Sequence, residues 1–142
     1  MAWLPKKRVV VPIDLSDFSL KALDEALEIV DTPEHIHVIQ VLREMSAMEP
    51  GVVWGDVTDE TRKKHAEDSI HNHLKDEKYN NINATVLFGN PPKKIAEFAQ
   101  DIEAELIVIH SHGHTGPKHV FIGSTAERVV RLAHCAVLVL RD

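Results

Sequence analysis

Five short apolar runs, separated by four stretches of helical periodicity, restrict this chain to very few folds. The runs are VVVPI (Val9–Ile13), HVIQVL (His37–Leu42), ATVLF (Ala84–Phe88), LIVI (Leu106–Ile109) and AVLVL (Ala136–Leu140). They are rich in Val, Ile and Leu and mostly do not alternate with polar residues. That is the pattern of strands covered on both faces, as in a parallel sheet. Between them, Leu20, Leu23, Leu27 and Val30 fall on one helical stripe, and Ile95, Phe98, Ala99 and Ile102 on another; Val129, Leu132 and Ala133 mark a third. Start signals accompany the stripes. Ser16 can cap the first helix, Pro91-Pro92 opens the third, and Ser124-x-x-Glu127 fits a capping box for the last. The resulting β-α-β-α-β-α-β-α-β alternation predicts a doubly wound α/β fold, with right-handed crossovers placing helices on both faces of the sheet. No domain boundary, repeat or low-complexity tract interrupts it, so residues 1–142 are read as one domain.

Two stretches fit the pattern loosely. Arg43–Asp56 has no clear period and contains Pro50, Gly51 and Gly55, which predicts a long loop after the second strand. The helix that follows, about Val57–Glu77, is highly charged. Its apolar stripe of Ala66, Ile70 and Leu74 is thin, so it is expected to be the most exposed helix.

Charge and cysteine usage narrow the function classes. A formal net charge of −6 argues against a general nucleic-acid or anionic-membrane binder, although a local cradle can still hold one phosphate ligand. Cys135 is the single cysteine, so no intrachain disulfide forms and a reducing compartment fits. MAWLPKKR is too short and polar for a signal peptide, and no apolar run approaches the roughly 20 residues that span a bilayer. A cytoplasmic protein is the expectation.

The candidate site lies in Leu106–Val130. An apolar run ends at His110, a loop with Gly113 and Gly116 follows, and Gly123-Ser124-Thr125 opens a helix. Strand, glycine loop and helix N-terminus together make a phosphate cradle, because free amides and the helix dipole both favour negative charge. The segment has no Gly-Lys-Ser/Thr and no GxGxxG after the first strand, so it is neither a Walker loop nor the dinucleotide fingerprint. At the end of the first strand, Asp14 can either accept from a ribose hydroxyl or an exocyclic amine, or brace the first helix beside Ser16 and Asp17. Gly89, before Pro91, reads as a turn glycine. His110, His112 and His114 alternate and could converge on zinc, and His119 lies nearby, but no carboxylate ligand accompanies them. Hydrogen bonding of one or two imidazoles to a phosphate or to the loop is the favoured reading, and no dedicated metal site is assigned. His71 and His73 do not share a helix face and read as surface residues. Cys135 reads as a small buried residue at the start of the last strand. No Ser-His-Asp arrangement, paired carboxylate or activated cysteine is evident, so no catalytic residue is assigned and at most slow nucleotide hydrolysis is expected.

With these residues in view, the chain resembles the universal stress protein family over essentially its whole length. The resemblance rests on VVVPIDLSDFS, on FGNPPKKIAEFAQ, and on IVIHSHG followed by nine residues and GSTAERVVRLAHCAVLVL. The family's nucleotide-binding members carry a glycine, two residues, a second glycine, nine residues, then Gly-Ser or Gly-Thr. Gly113, the nine residues His114–Ile122 and Gly123-Ser124 match the second half of that pattern, and His110 replaces the first glycine. The resemblance implies an open five-stranded parallel sheet of order 3-2-1-4-5, of the adenine-nucleotide alpha hydrolase-like kind. It implies ATP or AMP, with Mg or Mn on the phosphates, between the ends of the first and fourth strands. Carried over, Pro12, Ile13 and Asp14 line the adenine and ribose, Val41 packs on the adenine, and Gly113, Gly123, Ser124 and Thr125 hold the phosphates. It also implies a homodimer through the last strand, Val137–Leu140, whose apolar edge is otherwise unprotected. His110 decides between two outcomes. Pointing into the crevice, its imidazole blocks the ribose or α-phosphate and leaves a nucleotide-free dimeric interaction protein. Pointing sideways, it leaves the cradle intact and adds a phosphate donor. A metal-dependent hydrolase using the histidine loop is the third reading.

Overall fold

The computed structural model describes residues 3–44, 58–111 and 122–141. The strands are β1 (Val9–Pro12), β2 (Ile36–Leu42), β3 (Asn83–Phe88), β4 (Leu106–Ser111) and β5 (Ala136–Arg141). Between them lie α1 (Asp17–Leu27), α2 (Asp59–His73), α3 (Pro91–Asp101) and α4 (Ser124–Leu132). All strand pairs are parallel and the sheet order is β3-β2-β1-β4-β5, the order the family resemblance implies.

The pleat of the inner strands sorts the core into two layers. Val9, Val11, Val38, Leu106 and Val108 face α1 and α2, where they meet Leu23, Ala26, Ala66 and Ile70. Val10, Ile39, Ile107 and Ile109 face the other way, onto Ile95 and Ala99 of α3 and Ala126 and Val129 of α4. Each fully buried Val, Leu or Ile side chain contributes about 1.5–3 kcal/mol over an exposed one. The apolar runs fail to alternate because both faces of these strands are covered.

Local chemistry sets the helix starts. The Ser16 hydroxyl accepts from the Ser19 amide and caps α1 as expected. The Asn90 side chain accepts from the Lys93 amide, with Pro91 and Pro92 filling the first turn of α3. Thr58 and Thr61 form a reciprocal capping box at the start of α2. That helix therefore begins at Asp59 and stops at His73, shorter than the 57–77 expectation; Leu74 is its C-cap, and the next turn is a separate 3-10 segment at Glu77–Tyr79. Only Ala66 and Ile70 are buried along it, in keeping with the thin stripe.

Three expectations are corrected. Ser124-x-x-Glu127 does not form a capping box. Gly123 occupies the N-cap position, so Ser124 is already the first helical residue and cannot cap, while Glu127 pairs with Arg131 at 2.8 Å. Leu132 does not join the α4 stripe; it is 45% exposed, because Ala126 and Val129 already carry the face that meets the sheet. Val30 lies beyond the end of α1 and pairs with Lys6 in a short parallel bridge, so it is not on the helical stripe. Cys135 is half-buried and directly precedes β5. Burial pushes its thiol pKa up, which keeps it in the less reactive protonated form. Among the described residues, no helix is long and apolar enough to cross a membrane.

Candidate nucleotide-binding cleft

In a doubly wound sheet, ligands enter where the strand order reverses, outside the carboxyl ends of the strands. Here that point lies between β1 and β4, and a cleft of about 260 Å³ opens there. Its apolar side is built from Ile39 and Val41 of β2, Ile95 of α3 and Ile109 of β4. Pro12, the last residue of β1, and Ile13 just past it continue the wall, and Pro91 closes it at the start of α3. Polar groups enter from Asp14, Ser19, His110 and Thr125. Among the described lining residues there is no Lys or Arg.

The turn after β1 is held by its own side chains. Ile13 N–H donates to Ile39 O at 2.9 Å, extending the β1–β2 register one residue beyond the strand. The Asp14 carboxylate accepts from the Ser16 amide at 2.9 Å, and Leu15 between them takes the left-handed conformation with φ 64°. The buried Ser19 hydroxyl donates to Ser16 O at 3.0 Å and lies 3.3 Å from Asp14 N–H, which donates to it. The bracing contact of Asp14 is present, and it leaves the residue at the cleft.

His110 is the residue on which two readings diverged. It is on β4 two residues past Val108, which faces α1, so the pleat turns His110 toward α1 as well. Its ring lies against that of Phe18, with centroids 4.9 Å apart and planes at 30°. The imidazole thus forms the α1-side wall of the cleft, and Phe18 backs it.

At the other wall, the last residue of β4 ties down the start of α4. The Ser111 hydroxyl, 6% exposed, accepts from Gly123 N–H at 2.6 Å. That amide is consequently committed to the protein. The amides of the first helical turn, from Ser124 on, have no intrahelical partner and, among the described residues, receive no side-chain cap. Thr125 lines the cleft, whereas Gly123 and Ser124 stand beside it at the N-cap and first position of α4. An apolar slot, a carboxylate at the mouth and an uncapped helix N-terminus suit a planar base, a hydroxylated sugar and a phosphate respectively.

Of the sequence-derived site residues, Pro12, Ile13, Asp14, Val41, His110 and Thr125 are gathered around one cleft. Gly113 lies outside the described residues, as do His112, His114 and His119. Among the described residues no group of three His, Cys, Asp or Glu side chains could hold a metal. Sequence reasoning missed Ser19, Ile39, Pro91, Ile95 and Ile109 as cleft residues, and the tie from Ser111. Only Ser19 carried a signal, as the second hydroxyl of Ser16-x-x-Ser19. Gly89, as read, is a turn glycine: its φ is +137° and its amide donates to Leu42 O at 2.9 Å.

This architecture recurs in known proteins. Universal stress protein MJ0531 of Methanocaldococcus jannaschii is 34% identical over 141 residues, covering 95% of this chain and 82% of that protein. The universal stress protein UspA from Lactobacillus plantarum superposes with a TM-score of 0.72 at 27% identity, over 96% of this chain and 98% of that one. Two further structures share the fold. One is a universal stress protein from Archaeoglobus fulgidus in complex with dAMP, with a TM-score of 0.62, 20% identity and coverage of 97% and 100%. The other is a universal stress protein in complex with cAMP, with a TM-score of 0.61, 20% identity and coverage of 96% and 98%. The sequence model of the universal stress protein family matches residues 6–141, from before β1 to the end of β5, so the chain belongs to the universal stress protein family.

Proposed function

We propose that this protein binds an adenine nucleotide, AMP or ATP, in the cleft between β1 and β4, and that it acts as a cytoplasmic stress-response regulator whose liganded state is read by its partners. The observation that carries this reading is the cleft itself: an apolar slot of Ile39, Val41, Ile95 and Ile109 with Asp14 at one side and the α4 N-terminus at the other. The adenine would lie in the slot near Val41, the ribose hydroxyls would donate to Asp14, and the phosphates would meet Thr125 and the first amides of α4. A divalent ion such as Mg or Mn would accompany a polyphosphate. Adenine nucleotides in the related dAMP and cAMP complexes support the choice of ligand class. We further propose a homodimer through β5. It is an edge strand of the sheet, and its half-buried Val137–Leu140 would be covered by the same strand of a second copy.

Isothermal titration of the purified protein with AMP and with ATP, each to millimolar concentration, tests the reading. Saturable heat with either nucleotide is expected. No binding of either would reject it in favour of a nucleotide-free interaction protein.

A further inference from the structure

We propose that Phe18, which does not itself line the cleft, is a positioning residue that keeps the cleft open by holding the imidazole of His110 against α1. This inference rests on the nucleotide reading above and deepens it. A histidine at the mouth of a ligand site can rotate about two side-chain bonds, and some of its rotamers reach across the space a ligand needs. The side chain of His110 emerges from the last turn of the β4 pleat directly beside the cleft. Phe18 stands one residue inside α1, a helix fixed at its start by the Ser16 cap and by the Asp14–Ser16 turn. From that rigid position it presents a ring to His110 at a centroid distance of 4.9 Å and an angle of 30°, within the range of favourable aromatic pairs. Such a pair favours the contacting rotamer by a factor of about 3 to 10 over the others. Apparent affinity falls by the fraction of molecules whose site is competent; with the contacting rotamer a minor one in the absence of the ring, losing the pair weakens binding by up to that factor. Phe18 thereby offsets the bulk that His110 brings to this wall.

The test uses the full chain, AMP as the probe, and three single substitutions. Phe18→Leu keeps apolar bulk and removes the ring; Phe18→Tyr keeps the ring; His110→Ala removes the arm that needs holding. Phe18→Leu is expected to raise the Kd for AMP by more than about twofold and at most about 10-fold, and Phe18→Tyr to leave it within about twofold. In the His110→Ala background, Phe18→Leu is expected to change nothing. Equal weakening with and without His110 would show that Phe18 only supports α1, and would overturn the proposal. So would an unchanged Kd in Phe18→Leu. A ligand-free measurement separates this claim from the nucleotide reading. Protons close to an aromatic ring are displaced by its ring current, so the His110 ring-proton resonances of the unliganded wild type are expected to differ from their Phe18→Leu positions. If the wild type binds no AMP, the nucleotide reading fails, and the resonance alone decides whether Phe18 holds the ring. A ring-current displacement lost in Phe18→Leu upholds the positioning, and identical shifts in the two proteins overturn it.

Discussion

The hydroxyl of Ser111, the last residue of β4, accepts the amide proton of Gly123 at 2.6 Å and so joins the end of the strand to the start of α4. A glycine N-cap has no side chain with which to hold a helix start. The tie therefore comes from the neighbouring strand, and it fixes the helix N-terminus at the edge of the cleft.

Ser111→Ala would leave the Gly123 amide without that acceptor. A loss of about 1–2 kcal/mol is expected, since a donor left unsatisfied in a part-buried setting loses its full hydrogen bond. Thermal unfolding should show Tm lower by about 3–8 °C. AMP binding should weaken in parallel, because the α4 amides are no longer held in place. A variant that melts like the wild type would remove Ser111 from this role.

Asp14 carries two tasks that substitution can separate. Asn retains a side-chain oxygen for the Ser16 amide, so Asp14→Asn should melt within about 0.5 kcal/mol of the wild type. It loses the charged acceptor for the ribose, and its affinity for AMP should fall about 10-fold. Asp14→Ala should lose both stability and affinity. Unchanged AMP binding by Asp14→Asn would confine the carboxylate to bracing α1.

How legible the molecule is from its sequence depends on whether a residue's task is local. The five apolar runs became the five strands, with ends displaced by one or two residues, because apolar β-branched runs match the covered faces of a parallel sheet. Their order in the sheet is a tertiary property that periodicity does not carry; it followed from the family resemblance. Asp14, Val41 and Thr125 were recognisable because the family motif marks them. Ile39, Ile95 and Ile109 were not, because an isoleucine floor of a cleft and an isoleucine of the core look alike in sequence. The Ser124–Glu127 capping box failed by one position, since Gly123 could serve as N-cap once Ser111 supplied the oxygen.

Gly89 tests whether backbone or side-chain crowding restricts the turn after β3. Its φ of +137° is a region that side chains disfavour, and a Cβ added there would meet Lys94 Cε at 2.8 Å. Gly89→Ala should destabilise the protein by about 1–3 kcal/mol, lowering Tm by about 3–10 °C. Lys94 is flexible and partly exposed, so it can move aside. The double variant Gly89→Ala/Lys94→Ala is accordingly expected to melt close to Gly89→Ala. Recovery of most of the lost stability in the double variant would instead assign the cost to the lysine.

His37, on β2 at the opposite end of the sheet from the cleft, should make stability depend on pH. Partial burial pushes its pKa below the ordinary value of 6.5, and the neighbouring charges of Arg8 and His35 push it the same way. Its ring also meets the edge of Phe98, with centroids 6.4 Å apart. Between the lowered folded pKa and 6.5, the unfolded chain binds more protons than the folded one. Stability consequently rises with pH through this window. The contribution is complete above 6.5 and is lost as the pH falls through the folded pKa. For one proton the slope cannot exceed about 1.4 kcal/mol per pH unit. Urea unfolding of the wild type and His37→Gln at intervals from pH 7.5 to 5 should give a flatter profile for the variant. Parallel profiles would show that His37 does not carry the dependence.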